Sequence, residues 1–210
     1  MPKKVVVIFG SPSKNSNTHM LVREAQKGLK EAGAESEVFF LNDMRIKGCQ
    51  SCLSCKANDT TKCAVKDEMQ KIYQAMESSD GILVATPIYF GYVTAQTKIW
   101  SDRLFPYLGT RGDSKDGAHG ALTGRMPGHK IARFIFTQNQ PDRSMFAGQI
   151  RQFMNVISLI GFDVKGYMLA SDLYRGVKPM VTENKDYMTD AYELGKNFFA
   201  DRPEHKTTGL

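Results

Sequence analysis

The chain has 210 residues, 41% of them hydrophobic, enough to build a substantial core in one α/β domain. A net charge of +6 favours anionic ligands, yet its 28 Lys and Arg residues are scattered without runs or interleaved aromatics, which argues against a nucleic-acid partner. No apolar stretch approaches a membrane span and no charged start leads into a signal-like apolar segment, so a soluble, cytoplasmic protein with no membrane association is expected.

Along the chain, short apolar runs alternate with helical patterns. Residues 5–9 form a continuous β-branched and aromatic run, the signature of a strand buried on both faces. From Thr18, read as an N-cap, the apolar positions Leu21, Ala25 and Leu29 define a helix that Gly33 can stop. A second strand is expected at 38–41. A helix follows with Met69, Ile72, Tyr73 and Met76 on one face, then a third strand at 82–85. Residues 94–108 read as helix, 131–136 as strand, 143–160 as helix, 162–170 as strand and 183–199 as helix. Five strands alternating with helices imply a doubly wound parallel sheet filling residues 1–200, with a tail at 201–210. Two insertions interrupt it: residues 42–66, and a segment at 109–128 with six glycines that is too long for a simple connection and reads as a lid, an oligomer contact or an excursion.

All four cysteines lie in the first insertion as Cys49, Cys52, Cys55 and Cys63, a spacing of Cys-x2-Cys-x2-Cys-x7-Cys. Thiols crowded this closely in a reducing compartment point to ligands rather than to disulfides or core packing. Structural zinc uses two separated Cys-x2-Cys pairs, whereas here Cys52 is shared by overlapping pairs, as in the ligand runs of iron-sulfur clusters. The seven residues before Cys63 and the alanine after it depart from the ferredoxin pattern. One four-iron four-sulfur cluster matches the count of thiols, with zinc and free thiols as the alternatives. Lys56, Lys62 and Lys66 are expected to offset the thiolate charge. The four histidines are too far apart in sequence to form a ligand set, and Asp102 and Arg103 read as ion-pairing residues.

Directly after the first strand comes Gly10-Ser11-Pro12-Ser13-Lys14-Asn15-Ser16-Asn17-Thr18, and then a helix. A helix N-terminus at the carboxyl edge of an open α/β sheet presents free N–H groups to an anion, and this hydroxyl-rich bend suits a phosphate monoester. The three-glycine dinucleotide fingerprint and the Gly-Lys-Ser/Thr nucleotide loop are both absent. The third strand runs into Thr86-Pro87-Ile88-Tyr89-Phe90-Gly91, a turn whose amides and aromatics could border a planar heterocycle.

Those two segments, with Ala95 onward reading AQTKIWSDRLFP, resemble the flavodoxin-like NAD(P)H-dependent FMN reductase superfamily across roughly the first 140 residues. Adding the compact cysteine motif, the chain resembles an iron-sulfur flavoprotein of that group. The resemblance implies FMN, its phosphate held by Ser11, Ser13, Asn15, Ser16, Asn17 and Thr18. It implies an isoalloxazine ring bordered by Pro87, Ile88, Tyr89, Phe90 and Gly91, with Thr137, Gln138 and Asn139 as a third wall. It further implies an oxidoreductase without a dedicated catalytic side chain, drawing electrons from ferredoxin or NAD(P)H and passing them to dioxygen, peroxide or a quinone. A homodimer or homotetramer would bring the cluster of one chain to the flavin of another. The alternatives are a quinone or azo-type reductase lacking the cluster and a non-enzymatic flavin-binding module with zinc.

Overall fold

The computed structural model describes residues 1–111, 121–173 and 180–201. Strand β1 (Lys4–Phe9) leads into helix α1 (Asn17–Glu31), which returns to β2 (Glu35–Phe40). The cysteine insertion holds one short helix, α2 (Ser54–Ala57), and is followed by α3 (Met69–Ser78) and β3 (Gly81–Tyr89). Then come β4 (Tyr92–Val93), α4 (Ala95–Asp102), β5 (Leu108–Arg111), β6 (Ala121–Gly124), β7 (Lys130–Thr137), α5 (Ala147–Leu159), β8 (Phe162–Ala170) and α6 (Lys185–Lys196). The main sheet runs in the order β2-β1-β3-β7-β8 with all these pairings parallel, and β4 folds back antiparallel on β3.

Successive side chains of a strand point to opposite faces, and here each face has its own core. Val6, Ile8, Ile82, Val84, Phe134 and Phe136 face α3, α4 and α5 through Met76, Trp100 and Phe153. Val5, Val7, Phe9, Leu83 and Ile135 face α1 and α6 through Leu21, Ala25, Ala191 and Leu194. The apolar runs therefore lack a polar face because both sides are covered.

Several expectations need correcting. Ser16, not Thr18, caps α1: its side chain accepts the backbone N–H of His19 at 3.2 Å, while Thr18 is fully buried two residues further on, inside the first turn. The helix expected over 94–108 ends at Asp102 and passes into a 3-10 turn at Phe105–Tyr107, where Pro106 cannot continue the α-helical ladder. Helix α5 starts at Ala147 rather than 143, and α6 starts at Lys185, capped by Asn184. The third strand does not stop at residue 85 but continues through Pro87 to Tyr89. The ends of the glycine-rich segment are the antiparallel pair β5 and β6, joined at Leu108↔Gly124 and Arg111↔Ala121; its middle, 112–120, lies outside the described residues, as do His119, His205 and the tail after Asp201.

The strand β7 carries a buried cation that its apolar pattern conceals. Arg133 donates to the carbonyls of Phe198 at 2.8 Å and Ala200 at 2.9 Å, covering the free carbonyls after α6, and to Lys165 at 2.8 Å. No helix among the described residues is long and apolar enough to cross a membrane.

Candidate functional site

The carboxyl ends of β1, β3 and β7 converge at the point where the strand order reverses, the usual ligand crevice of an open α/β sheet. The bend after β1 is stiffened from within. Ser13 N–H donates to the Ser11 hydroxyl and Asn15 N–H to the Ser13 hydroxyl, at 3.3 and 3.2 Å. Ser11 is buried, whereas Ser13 and Asn15 are exposed. Asn17 and Thr18 face elsewhere: the Asn17 carboxamide accepts Val181 N–H at 2.9 Å, and the Thr18 hydroxyl pairs with that of Thr137 at 2.7 Å beneath the loop. Thr137 thus ties the end of β7 to the first turn of α1.

Three buried threonines, two of them inside the segments that carry the resemblance but given no role by the sequence, lock this bend to β3. The Thr94 hydroxyl donates to the Gly10 carbonyl at 2.7 Å and contacts the Thr97 hydroxyl at 2.9 Å, and Thr97 reaches Thr86 at 3.1 Å. Gly10 N–H closes the knot on the Ala85 carbonyl at 2.8 Å. The network fixes the two ligand-facing loops relative to each other.

Tyr89 and Tyr92 pair across a two-residue hairpin whose central residues, Phe90 and Gly91, have φ of 49° and 85°. Positive φ at both positions is what a type I′ turn requires, and glycine meets it freely while phenylalanine does not. Pro87 and Ile88 are buried in β3, but Tyr89 is half exposed and Phe90 projects fully into solvent. A bulky aromatic held in a costly conformation and left uncovered points to a role other than folding. Phe90→Asn should accordingly raise the stability of the flavin-free chain by about 1 kcal/mol, because Asn-Gly is the favoured pair for this turn. The same variant should bind flavin more weakly; a melting temperature that falls, measured without flavin, would contradict the strain argument.

Gln138, expected as part of a third wall, is buried directly after β7. Its amide nitrogen donates to the carbonyls of Gln140 at 2.9 Å and Asp142 at 2.8 Å, which fixes the amide orientation and leaves the buried Oε1 without a partner. An orphaned buried acceptor beside a crevice fits a ligand that donates a hydrogen bond there.

The cysteine insertion is a separate pocket of about 170 Å³ lined by Cys49, Cys52, Cys55 and Cys63 together with Leu53, Val65, Arg103, Phe105 and Pro106. All four thiols are free, and among the described residues no three His, Cys, Asp or Glu side chains converge as the ligands of a single ion. Ser51 and Leu53, on either side of Cys52, adopt φ of 52° and 53°, backbone that favours glycine. Lys56 is anchored beside the cysteines: its ammonium binds the carbonyls of Phe105 and Leu108 and lies 4.0 Å from the Phe105 ring centre, and burial lowers its pKa against the opposing pull of nearby Cys55. Lys62 and Lys66 are exposed. The cation on the pocket wall is Arg103. It pairs with Asp67 rather than with its neighbour Asp102, which binds Lys98 at 2.5 Å. Burial by itself would raise the Asp67 pKa, but the Arg103 fork and the N–H groups of Lys47 and Met69 bring it below the ordinary carboxylate value. Tyr73, whose hydroxyl donates to the Arg103 carbonyl at 2.5 Å, has its phenol pushed up by burial and by nearby Cys63.

A five-stranded parallel sheet in this order, with a hydroxyl-rich bend after β1 and an aromatic hairpin after β3, defines a flavodoxin-like fold. Residues 3–126 match the model of the NADPH-dependent FMN reductase family, and the chain belongs to that family. Among curated relatives, an iron-sulfur flavoprotein of Methanocaldococcus jannaschii is 41% identical over 103 residues, 49% of this chain and 52% of the relative. An iron-sulfur flavoprotein of Methanosarcina thermophila is 36% identical over 100 residues, 48% of this chain and 51% of the relative. The chain spans about half the length of the curated relatives it matches. The fold is also that of the NAD(P)H:quinone oxidoreductase from Methanothermobacter marburgensis, with a TM-score of 0.70 at 17% identity over 98% of this chain and 100% of that one. An FMN-dependent NADH-azoreductase from Bacillus anthracis aligns with a TM-score of 0.66 at 12% identity over 93% of this chain and 97% of that one.

Proposed function

We propose that this protein is an FMN-dependent oxidoreductase that relays electrons between a reduced carrier, ferredoxin or NAD(P)H, and a small acceptor such as dioxygen, peroxide or a quinone. Its four cysteines would hold one four-iron four-sulfur cluster. Membership of the FMN reductase family supports the flavin, and the residues at the crevice suit it. Ser11, Ser13, Asn15 and Ser16 would hold the phosphate at the N-terminus of α1, with Asn17 and Thr18 keeping the bend in shape. Pro87, Ile88, Tyr89, Phe90 and Gly91 would border the ring on one side and Gln138 on another, its orphaned Oε1 accepting from the ring edge. When bound, FMN supplies the exchange between hydride and single electrons, and a cluster supplies one-electron transfer.

The cluster reading is carried by one observation: four thiols spread over fifteen positions line the same cavity, with Cys52 shared by two overlapping Cys-x2-Cys pairs. That suits a group that takes one thiolate at each of several irons better than it suits a lone zinc ion. The iron-sulfur flavoproteins among the relatives support it further. Exposed Phe90 and Tyr89 beside the crevice, and exposed Leu53 beside the cysteines, suit a homodimer or homotetramer in which chains exchange electrons.

Anaerobically purified protein tests both halves. FMN should titrate into the flavin-free chain at one per chain, and iron and acid-labile sulfide should each reach about four per chain. Flavin binding with neither iron nor sulfide would support the clusterless quinone or azo-type reading instead. Colourless protein that refuses FMN would defeat the whole proposal.

A further inference from the structure

We propose that Arg103 is a positioning residue of the cysteine pocket, closing the insertion from both flanks and holding a buried positive charge against whatever the four thiols bind. The inference rests on the cluster reading above. Arg103 sits just after α4, 40 positions from Cys63 in sequence, and is 1% exposed. One guanidinium nitrogen donates to the Lys47 carbonyl and to Asp67 Oδ2, both at 2.7 Å; the other donates to the Val65 carbonyl at 3.3 Å and Asp67 Oδ1 at 3.2 Å. Lys47 precedes the first cysteine, and Val65 and Asp67 follow the last. A single planar group therefore clasps the two ends of the cysteine segment, a task for a five-donor fork that a lysine cannot repeat.

Two further observations give the clasp a second role. Of the ion pair, Arg103 lines the cysteine pocket and Asp67 does not, so the pair turns its positive end to the thiols; the one carboxylate on the wall, Asp102, is half exposed and paired with Lys98. The Arg103 Nε–H is buried and has no partner. A buried donor without a partner is costly, and in a pocket walled by four thiols the acceptor it fits is sulfur. Charge close by and hydrogen bonds to sulfur are two of the means by which a protein sets the reduction potential of an iron-sulfur group. Lys62 and Lys66, exposed to water, are screened from that role.

The test uses anaerobically reconstituted full-length protein and variants R103M, R103K, D67N and K62M, read by iron content, by loss of iron to a chelator, and by the midpoint potential of the cluster in a spectroscopic redox titration. R103M should shift the potential downward and lose iron about tenfold faster or more, the usual scale for removing a group that supports metal ligands. R103K should have a potential between those of wild type and R103M, because the charge remains but the Nε–H is lost, yet lose iron as fast as R103M, because the fork is gone. K62M should change neither. Should R103M fail to fold, D67N decides: deleting the compensating carboxylate should move the potential upward. An R103M potential equal to wild type at equal iron content, a K62M shift as large as that of R103M, or an unmoved D67N would overturn the assignment while leaving the cluster reading intact. Wild-type protein without iron or sulfide would instead remove the cluster reading itself.

Discussion

Gly10→Ala is expected to weaken FMN binding at least tenfold and to lower the melting temperature by about 5 °C or more, the scale of a 2–3 kcal/mol overpacking cost in a chain of this size. A methyl group at position 10 would overlap the Thr97 hydroxyl and come within 3.2 Å of both Thr86 Cβ and Thr86 Oγ1. None of these atoms can yield cheaply. Thr97 is hydrogen-bonded to Thr86 and Thr94, and Thr94 also caps α4. Gly10 cannot move away either, because its N–H and carbonyl are held by Ala85 and Thr94. The strain must therefore go into the bend carrying Ser11 and Ser13. Calorimetry and flavin titration read the two effects. Adding Thr97→Ala, which removes the overlapping hydroxyl, should recover part of both losses; a single variant with wild-type affinity and melting temperature would show that the threonine knot does not set the loop.

Gly195→Ala is the second large effect, and here two principles oppose each other. Inside a helix alanine is favoured over glycine by about 1 kcal/mol, so propensity predicts stabilisation. Packing predicts the reverse. A Cβ at Gly195 in α6 would overlap the Ala25 carbonyl oxygen and lie 2.7 Å from its carbonyl carbon, and one at Gly28 in α1 would overlap the Tyr192 carbonyl oxygen and lie 2.6 Å from Lys196 N. These neighbours are backbone atoms of packed helices, which can yield only if a whole helix shifts. A net destabilisation of about 2 kcal/mol or more is expected for either substitution, and because α1 carries the phosphate bend at its start, flavin affinity should fall with stability. Chemical denaturation with and without FMN measures both. A more stable Gly195→Ala protein would mean that the helices are not in the close contact described.

The legible parts of the site were those built from consecutive residues. The Ser11–Thr18 bend, the Pro87–Gly91 turn and the cysteine window each announce a local chemistry, since small hydroxyl residues before a helix, aromatics beside glycine and crowded thiols have few other uses. Even there, individual roles escaped. Thr18 looks like a cap and proves to be the buried partner of Thr137, because a cap is set by backbone dihedrals at Ser16 that letters alone do not reveal. Lys56 looks like a cation of the cysteine pocket and does sense Cys55, but the carbonyls of Phe105 and Leu108 that anchor its ammonium come from a segment some fifty residues away that proximity in sequence does not show. Helix ends were misplaced where a turn of 3-10 helix intervened, at Phe105–Tyr107 and Met180–Glu183, since both geometries share much the same apolar spacing over a few residues.

By itself the sequence determined the architecture: strands apolar on both faces are buried in a covered parallel sheet, and each such strand hands its loop to the same edge. The tertiary structure alone decided which residues far apart in the chain act together. Thr86, Thr94 and Thr97 meet Gly10, Thr18 meets Thr137, Gly28 meets α6, and Arg103 reaches the cysteine pocket from the end of another helix. Periodicity records which face of an element is buried. It carries no term for which polar atom a buried donor will find across the core, and that pairing is settled only when the layers close.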